Sequence, residues 1–132
     1  MNAHPLIAGQ ARGEVLALTH PISFWGGVDP KTGDIIDARH PERGKNIAGK
    51  ILALPGMIGS SSAAAVMLEL IHAGKAPVAL IMPEPDAILL LGVIVAHEME
   101  WKSCPAFALD KDAQRSLHGK TISIDAAGAI TL

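Results

Sequence analysis

Lys50-Ile51-Leu52-Ala53-Leu54, followed by Pro55-Gly56-Met57-Ile58-Gly59-Ser60-Ser61-Ser62-Ala63-Ala64-Ala65, is the stretch that decides the fold. Its first five residues read as a short buried strand. The run from Ala63 to Ala73 favours helix, and Gly74 suits the C-cap. Three hydroxyls therefore crowd a strand-to-helix turn. There the backbone N–H groups lack intrahelical partners and the helix dipole is positive. Such a turn is a seat for a carboxylate or a phosphate. One serine as N-cap, with the others as small turn residues, is the plainer account of the same residues, and physics alone favours it.

The alternation continues on both sides of this turn. Val78 to Met82 reads as a second buried strand, and Pro83-Glu84-Pro85-Asp86 as a turn. Asp86 is placed to cap a helix from Ala87 to Met99. Pro105 to Leu109 reads as a third short strand, and the β-α-β-α-β order favours parallel pairing. Upstream, Gly13 to Thr19 reads as a first strand. Pro21 to Val28 starts extended and ends at Gly26-Gly27. Asp29-Pro30-Lys31-Thr32-Gly33 has the chemistry of a turn. Asp34 to Asp37 reads as a short returning strand, and Ala38 to Gly49 as a polar loop. Thr121 to Leu132 predicts a strand, a turn at Ala126-Ala127-Gly128 and a last strand. The expectation is one α/β domain over 1–132, with a partly parallel central sheet, flanking helices and extra β-structure at both ends.

Bulk composition narrows the function classes. A chain of 132 residues, 49% apolar and 18% charged, buries enough surface to fold and is too apolar for disorder. Aromatic residues are 3% and Tyr is absent, so Ala, Ile, Leu, Val and Met must build the core. Net charge is −2 with no basic stripe, which argues against a nucleic-acid partner. The longest apolar run, Ala87 to Ala96, is too short to cross a bilayer. Met1 to Pro5 lacks the features of a signal peptide. These points predict a cytoplasmic protein with no membrane partner. The single Cys104 excludes an intrachain disulfide and cannot by itself hold an iron–sulfur cluster.

Several motifs fail on inspection. Gly44 to Lys50 matches phosphate-loop spacing, but Ile51 stands where a magnesium-binding hydroxyl is needed, and a strand follows instead of a helix. Gly59-Ser60-Ser61-Ser62 is not a nucleophile elbow, because Ser62 occupies the second glycine position. His4, His20, His40, His72, His97 and His118 show no metal-ligand spacing. His40, beside Arg39 and Pro41 and near Arg43, offers an anion-binding edge; a solvated loop is the alternative. Trp25 is either core or a wall over a substrate. Gly26 and Gly27 either make a turn or let backbone approach a ligand.

Gly-Glu-Val-Leu-Ala (13–17), Pro-Ile-Ser-Phe-Trp-Gly-Gly-Val-Asp-Pro-Lys-Thr-Gly (21–33), Ile-Asp-Ala-Arg-His-Pro (36–41), Gly-Lys-Asn-Ile-Ala-Gly-Lys-Ile-Leu (44–52) and Gly-Ser-Ser-Ser (59–62) carry a further signal together. Ala-Pro-Val-Ala-Leu-Ile (76–81) and Leu-Gly-Val-Ile-Val-Ala (91–96) add to it more weakly. With these segments the chain resembles the small subunit of the aconitase X family. The resemblance implies a swivelling β/β/α domain and a large catalytic partner that carries an iron–sulfur cluster. It implies a hydro-lyase acting on a β-hydroxy carboxylate, with Ser60 as the proton-abstracting base. The substrates of the family are cis-3-hydroxy-L-proline and mevalonate 5-phosphate. The Ala-rich, Lys-poor composition and Trp25 favour the first.

By the same resemblance, Gly59 and the N–H groups of Ser61 and Ser62 would hold the substrate carboxylate. Ser23, Trp25, Gly26 and Gly27 would line the cleft, and His40 or Arg43 would orient the substrate. The chain would be inactive without its partner. Two other classes compete. A phosphohistidine carrier would need a histidine soon after Gly26-Gly27, and none comes before His40. A non-catalytic binding or regulatory subunit would assemble without using Ser60.

Overall fold

Residue alternation along four short strands sorts the apolar side chains into two cores, one on each face of a single sheet. The computed structural model describes all 132 residues. Its strands are β1 (His4–Ile7), β2 (Ala11–Ala17), β3 (Ile51–Ala53), β4 (Ala79–Met82), β5 (Ala106–Ala108), β6 (Thr121–Ile124) and β7 (Ile130–Thr131). The helices are α1 (Phe24–Gly27), α2 (Ala63–His72), α3 (Ala87–Glu98) and α4 (Lys111–Leu117). The seven strands form one mixed sheet in the order β1-β5-β4-β3-β2-β6-β7. Strands β2 to β5 are parallel; β1, β6 and β7 join antiparallel.

Register makes the sorting explicit. Leu16, Leu52, Leu80 and Ala106 lie side by side across the parallel strands and enter the core that also holds Val66, Met67, Leu70, Leu89 and Val93 of α2 and α3. Their neighbours Ala17, Ala53, Ile81 and Phe107 form the next row and enter the opposite core, under Leu117 of α4. Successive side chains of a strand point to opposite faces, so buried parallel strands must be apolar on both.

Helices α2 and α3 pack against each other on one face. Gly92 lets them meet: a Cβ there would stand 2.7 Å from the Ala64 carbonyl oxygen. α3 is apolar all round, and Ile88, Leu91 and Ile94 point outward. No helix is long and apolar enough to cross a membrane.

The sheet curls until its first and last strands meet. Asn2 bridges Ala129, the Ala3 N–H donates to the Gly128 carbonyl at 2.8 Å, and the Ile130 N–H donates to the Met1 carbonyl at 3.0 Å. Gly128, at φ +91°, has its α-carbon so close to the Ala3 carbonyl that no side chain fits. Closing the curl removes edges that would otherwise template aggregation.

The α/β expectation and the three central strands agree with this architecture, but three details differ. The Pro21–Val28 run is broken at α1, where Trp25 (φ −71°, ψ 114°) and Gly26 (φ +80°, ψ −13°) have the torsions of a type II turn and not of a helix, before its extended course resumes at Val28. Asp34 to Asp37 forms only isolated bridges, Val28 with Ile35 and Asp34 with Asn46. β1 and α4 are additions the residues did not announce.

Candidate active site

Four parallel strands direct their C-terminal ends to one edge of the sheet, where ligands of open α/β sheets are bound. The segments leaving that edge are 18–25 after β2, 54–62 after β3 and 83–86 after β4. Two of them touch. Ile22 pairs with Met57 in a parallel bridge, and the Ile58 N–H donates to the Ile22 carbonyl at 3.2 Å. The Ser23–Gly27 segment and the Gly59–Ser62 turn, more than thirty residues apart in sequence, are therefore neighbours, and α1 packs on α2.

The serine turn has unused hydrogen-bonding capacity. Ser60 and Ser62 are half-buried and Ser61 is exposed. Ser60 Oγ accepts the Ser62 N–H at 3.2 Å, and the Ser60 carbonyl accepts the Ala63 N–H. The N–H groups of Gly59, Ser60, Ser61, Ala64 and Ala65 find no acceptor in the chain. These free donors and the dipole of a ten-residue helix make the turn electropositive.

The plain account of one capping serine holds for Ser60, whose hydroxyl accepts the N–H two residues on, and not for Ser62. Ser62 is the residue before α2, yet it already has helical torsions (φ −89°, ψ −3°) and its side chain caps nothing. A capping side chain normally sits on extended backbone, from which its oxygen reaches back over the first turn. Ser60 supplies the local bond instead. Of the two N–H groups assigned to a substrate carboxylate, only that of Ser61 is free of an intrachain acceptor.

The remaining candidates fall into two groups. Trp25 is 64% exposed beside the turn, and space is open around Gly26 and Gly59. The Ser23 hydroxyl donates to the Trp25 carbonyl at 3.1 Å and so serves the bend itself. Gly27 is buried: a Cβ there would lie 2.9 Å from the Ile22 side chain, so its smallness answers to packing. An open cleft of about 550 Å³ lies next to the turn, bounded by Pro55–Met57, Met82–Asp86, Asp110 and Lys111.

His40 and Arg43 do not form the open anion-binding edge that their sequence context suggested. The His40 ring is buried, and Arg43 alone is exposed. His40 Nδ1 accepts the Glu42 N–H at 3.1 Å, which places its proton on Nε2, 3.0 Å from the His20 carbonyl. Glu42, 8% exposed, accepts hydrogen bonds from the N–H and the hydroxyl of Thr19. Burial by itself pushes the Glu42 carboxyl up. The two Thr19 bonds and the nearby His40 and His20 rings outweigh that and hold it below its ordinary value. Glu42 and Thr19 were not singled out from the sequence, where nothing relates residues 23 positions apart.

The ligands for a metal are missing here. No three His, Cys, Asp or Glu side chains come together as a ligand set. Burial pushes the Cys104 thiol up to about 12, the wrong protonation state for a metal ligand.

Comparison with known proteins identifies the domain. The family model described as the aconitase X swivel domain matches residues 1–132. Over 104 residues the chain is 48% identical to the cis-3-hydroxy-L-proline dehydratase of Pseudomonas aeruginosa, covering 79% of this chain and 18% of that protein. It is 43% identical over 96 residues to the phosphomevalonate dehydratase small subunit of Thermococcus gammatolerans, covering 73% of each. The crystal structure of Thermococcus kodakaraensis aconitase X in its holo form superposes with a TM-score of 0.84 at 35% identity, covering 98% of this chain and 94% of that one. The chain thus spans less than a fifth of the hydroxyproline dehydratase and most of the archaeal small subunit. On these grounds the chain belongs to the aconitase X family and constitutes its swivel domain.

Proposed function

We propose that this chain is the small subunit of a dehydratase that removes water from a β-hydroxy carboxylate, with Ser60 as the base. The observation that carries the reading is the half-buried Ser60 hydroxyl at the positive end of α2, among free N–H donors and beside the Ser23–Gly27 segment. The relatives' names, dehydratase and dehydratase small subunit, supply the reaction class.

Ser60 Oγ takes the proton α to the substrate carboxylate. The electron pair left behind forms the carbon–carbon double bond as the carbon–oxygen bond breaks and the β-hydroxyl leaves with its electron pair, an expulsion that the partner's cluster would assist as a Lewis acid. Free N–H groups at Gly59 and Ser61 hold the carboxylate and the charge that develops on it. A serine hydroxyl is a very weak acid, and the dipole of α2 contributes at most about 2 kcal/mol to its ionisation. That lowers its pKa by about 1.5 units at 1.36 kcal/mol per unit, far less than alkoxide formation at neutral pH requires. The missing positive potential comes from a large partner subunit, so this chain alone does not turn over. The iron–sulfur cluster of the family belongs to that partner, since this chain offers no ligand set for it. Trp25 and Ile58, 64% and 53% exposed, form an apolar rim that the partner covers.

The substrate we favour is cis-3-hydroxy-L-proline: loss of water gives the C2=C3 enamine, which tautomerises, nitrogen losing a proton and C3 gaining one, to Δ1-pyrroline-2-carboxylate. The Ala-rich, Lys-poor composition and Trp25 support this choice. Mevalonate 5-phosphate is the second reading, favoured by the matching length of the archaeal small subunits.

The test is to rebuild the complex with Ser60→Ala and assay both hydroxy acids. Loss of turnover in an intact complex is expected. Full turnover would mean a non-catalytic binding subunit.

A further inference from the structure

We infer that the buried His40–Glu42 pair is a clasp that positions the 19–25 segment against the serine turn, and that His40 acts through the His20 carbonyl rather than on substrate. The argument begins with what the pair holds. Glu42 takes both the N–H and the hydroxyl of Thr19, and His40 Nε2–H donates to the carbonyl of the next residue, His20. Thr19 gives its one hydroxyl proton to Glu42, so it accepts from His20 Nδ1 at 3.0 Å. The His20 ring meets the His40 ring edge-on, with centroids 6.4 Å apart. Two consecutive residues of the strap are thus tied to one buried turn.

The strap leads directly to the candidate site. Two residues past His20, the Ile22 carbonyl accepts the Ile58 N–H, and Ser60 follows two residues later. Past Ile22 the same segment carries Ser23 and Trp25. The clasp therefore fixes the register of the 19–25 segment against the serine turn. Nothing in this arrangement leaves His40 free for a ligand: both ring nitrogens are engaged and the ring is 6% exposed. A buried polar cluster with every atom matched is well suited to hold one backbone geometry. The turnover arm of this inference rests on the dehydratase reading; the backbone arm does not.

Two isosteres separate the jobs of the two ring nitrogens. The amide nitrogen of His40→Gln reaches the Nε2 position and keeps a donor for the His20 carbonyl. The amide oxygen of His40→Asn replaces Nδ1 and keeps the acceptor for Glu42, but loses that donor. Hydrogen exchange at the Ile58 amide, taken as a ratio to the core Leu54 amide, is the readout in the full chain. That ratio should rise about tenfold in His40→Asn and stay within about twofold in His40→Gln. In the rebuilt complex, the KM for cis-3-hydroxy-L-proline should rise in His40→Asn with kcat little changed, and His40→Gln should restore it. Thr19→Val, which removes only the hydroxyl bond, should raise the ratio by less than His40→Asn. Equal ratios in the two His40 variants, or a ratio in His40→Asn equal to that of the parent chain, would overturn the clasp whatever happens to turnover. A changed ratio together with full activity of Ser60→Ala would leave the clasp standing and remove the base.

Discussion

Two polar turns serve the same edge of the sheet and differ in how much of their hydrogen-bonding capacity is used. At Gly59–Ala65 five backbone donors have no acceptor in the chain. At Thr19–Glu42 the buried side chains are all matched, and no buried polar side-chain atom of the protein lacks a partner. Buried polar groups left unmatched cost free energy, so a fold keeps spare donors only where water or a ligand reaches them. The first turn keeps donors open to a ligand, and the second spends its own on the fold.

The sharpest way to break this contrast is Ser60→Ala. We expect turnover of the complex to fall by about a thousandfold, with a melting temperature close to the parent's. Retained turnover would place the chemistry elsewhere.

Next in size is Gly92→Ala, which presses on the first turn through Ala64 and leaves the second untouched. A Cβ there meets the Ala64 backbone, so α2 and α3 must separate. A stability loss of about 1–3 kcal/mol by denaturant titration is expected. Parent-like stability would show that the crossing of α2 and α3 has room to spare.

Glu42→Gln tests the matched turn. The folded-state carboxyl titrates below its unfolded value, so its stabilisation is present above the unfolded pKa and disappears as pH falls through the folded one. The variant should be about 1–2 kcal/mol less stable at neutral pH, with the gap closing in acid. A gap that does not vary with pH would mean that the charge is not what holds Thr19.

The smallest effect belongs to Ser62→Ala. Its side chain makes no capping bond, so we expect a change of less than about 0.5 kcal/mol. A loss near 1 kcal/mol would restore Ser62 as the cap.

What could be read from residues alone follows the range of the interactions. The β3–turn–α2 unit, the capped α3 and the central strands are written locally, in apolar runs, Asp86 and turn residues; Asp86 indeed accepts the Leu89 N–H at 2.9 Å. β1 is a strand because His4 and Pro5 pair with Ala108 and Phe107, a hundred residues away. α4 has only Gln114 and Leu117 buried and is too short for its periodicity to show. The serine turn was legible as a polar turn before a helix. Its neighbourhood with Ser23–Gly27 is legible only through the family resemblance, since an Ile22–Ile58 bond leaves no mark in either segment. The burial of His40 was hidden for the same reason: Arg39-His40-Pro41 reads as polar surface until Thr19 and His20 cover it.

The closure of the curl also has a consequence for how larger proteins are assembled. Because the Met1 carbonyl and the Ile130 N–H are bonded, the two chain ends leave the domain at one place on its rim. A longer polypeptide can enter through the first residue or leave through the last and pull on the same point. Tethering at either end, or a circular permutation that fuses the ends, holds the domain at that same point of its rim.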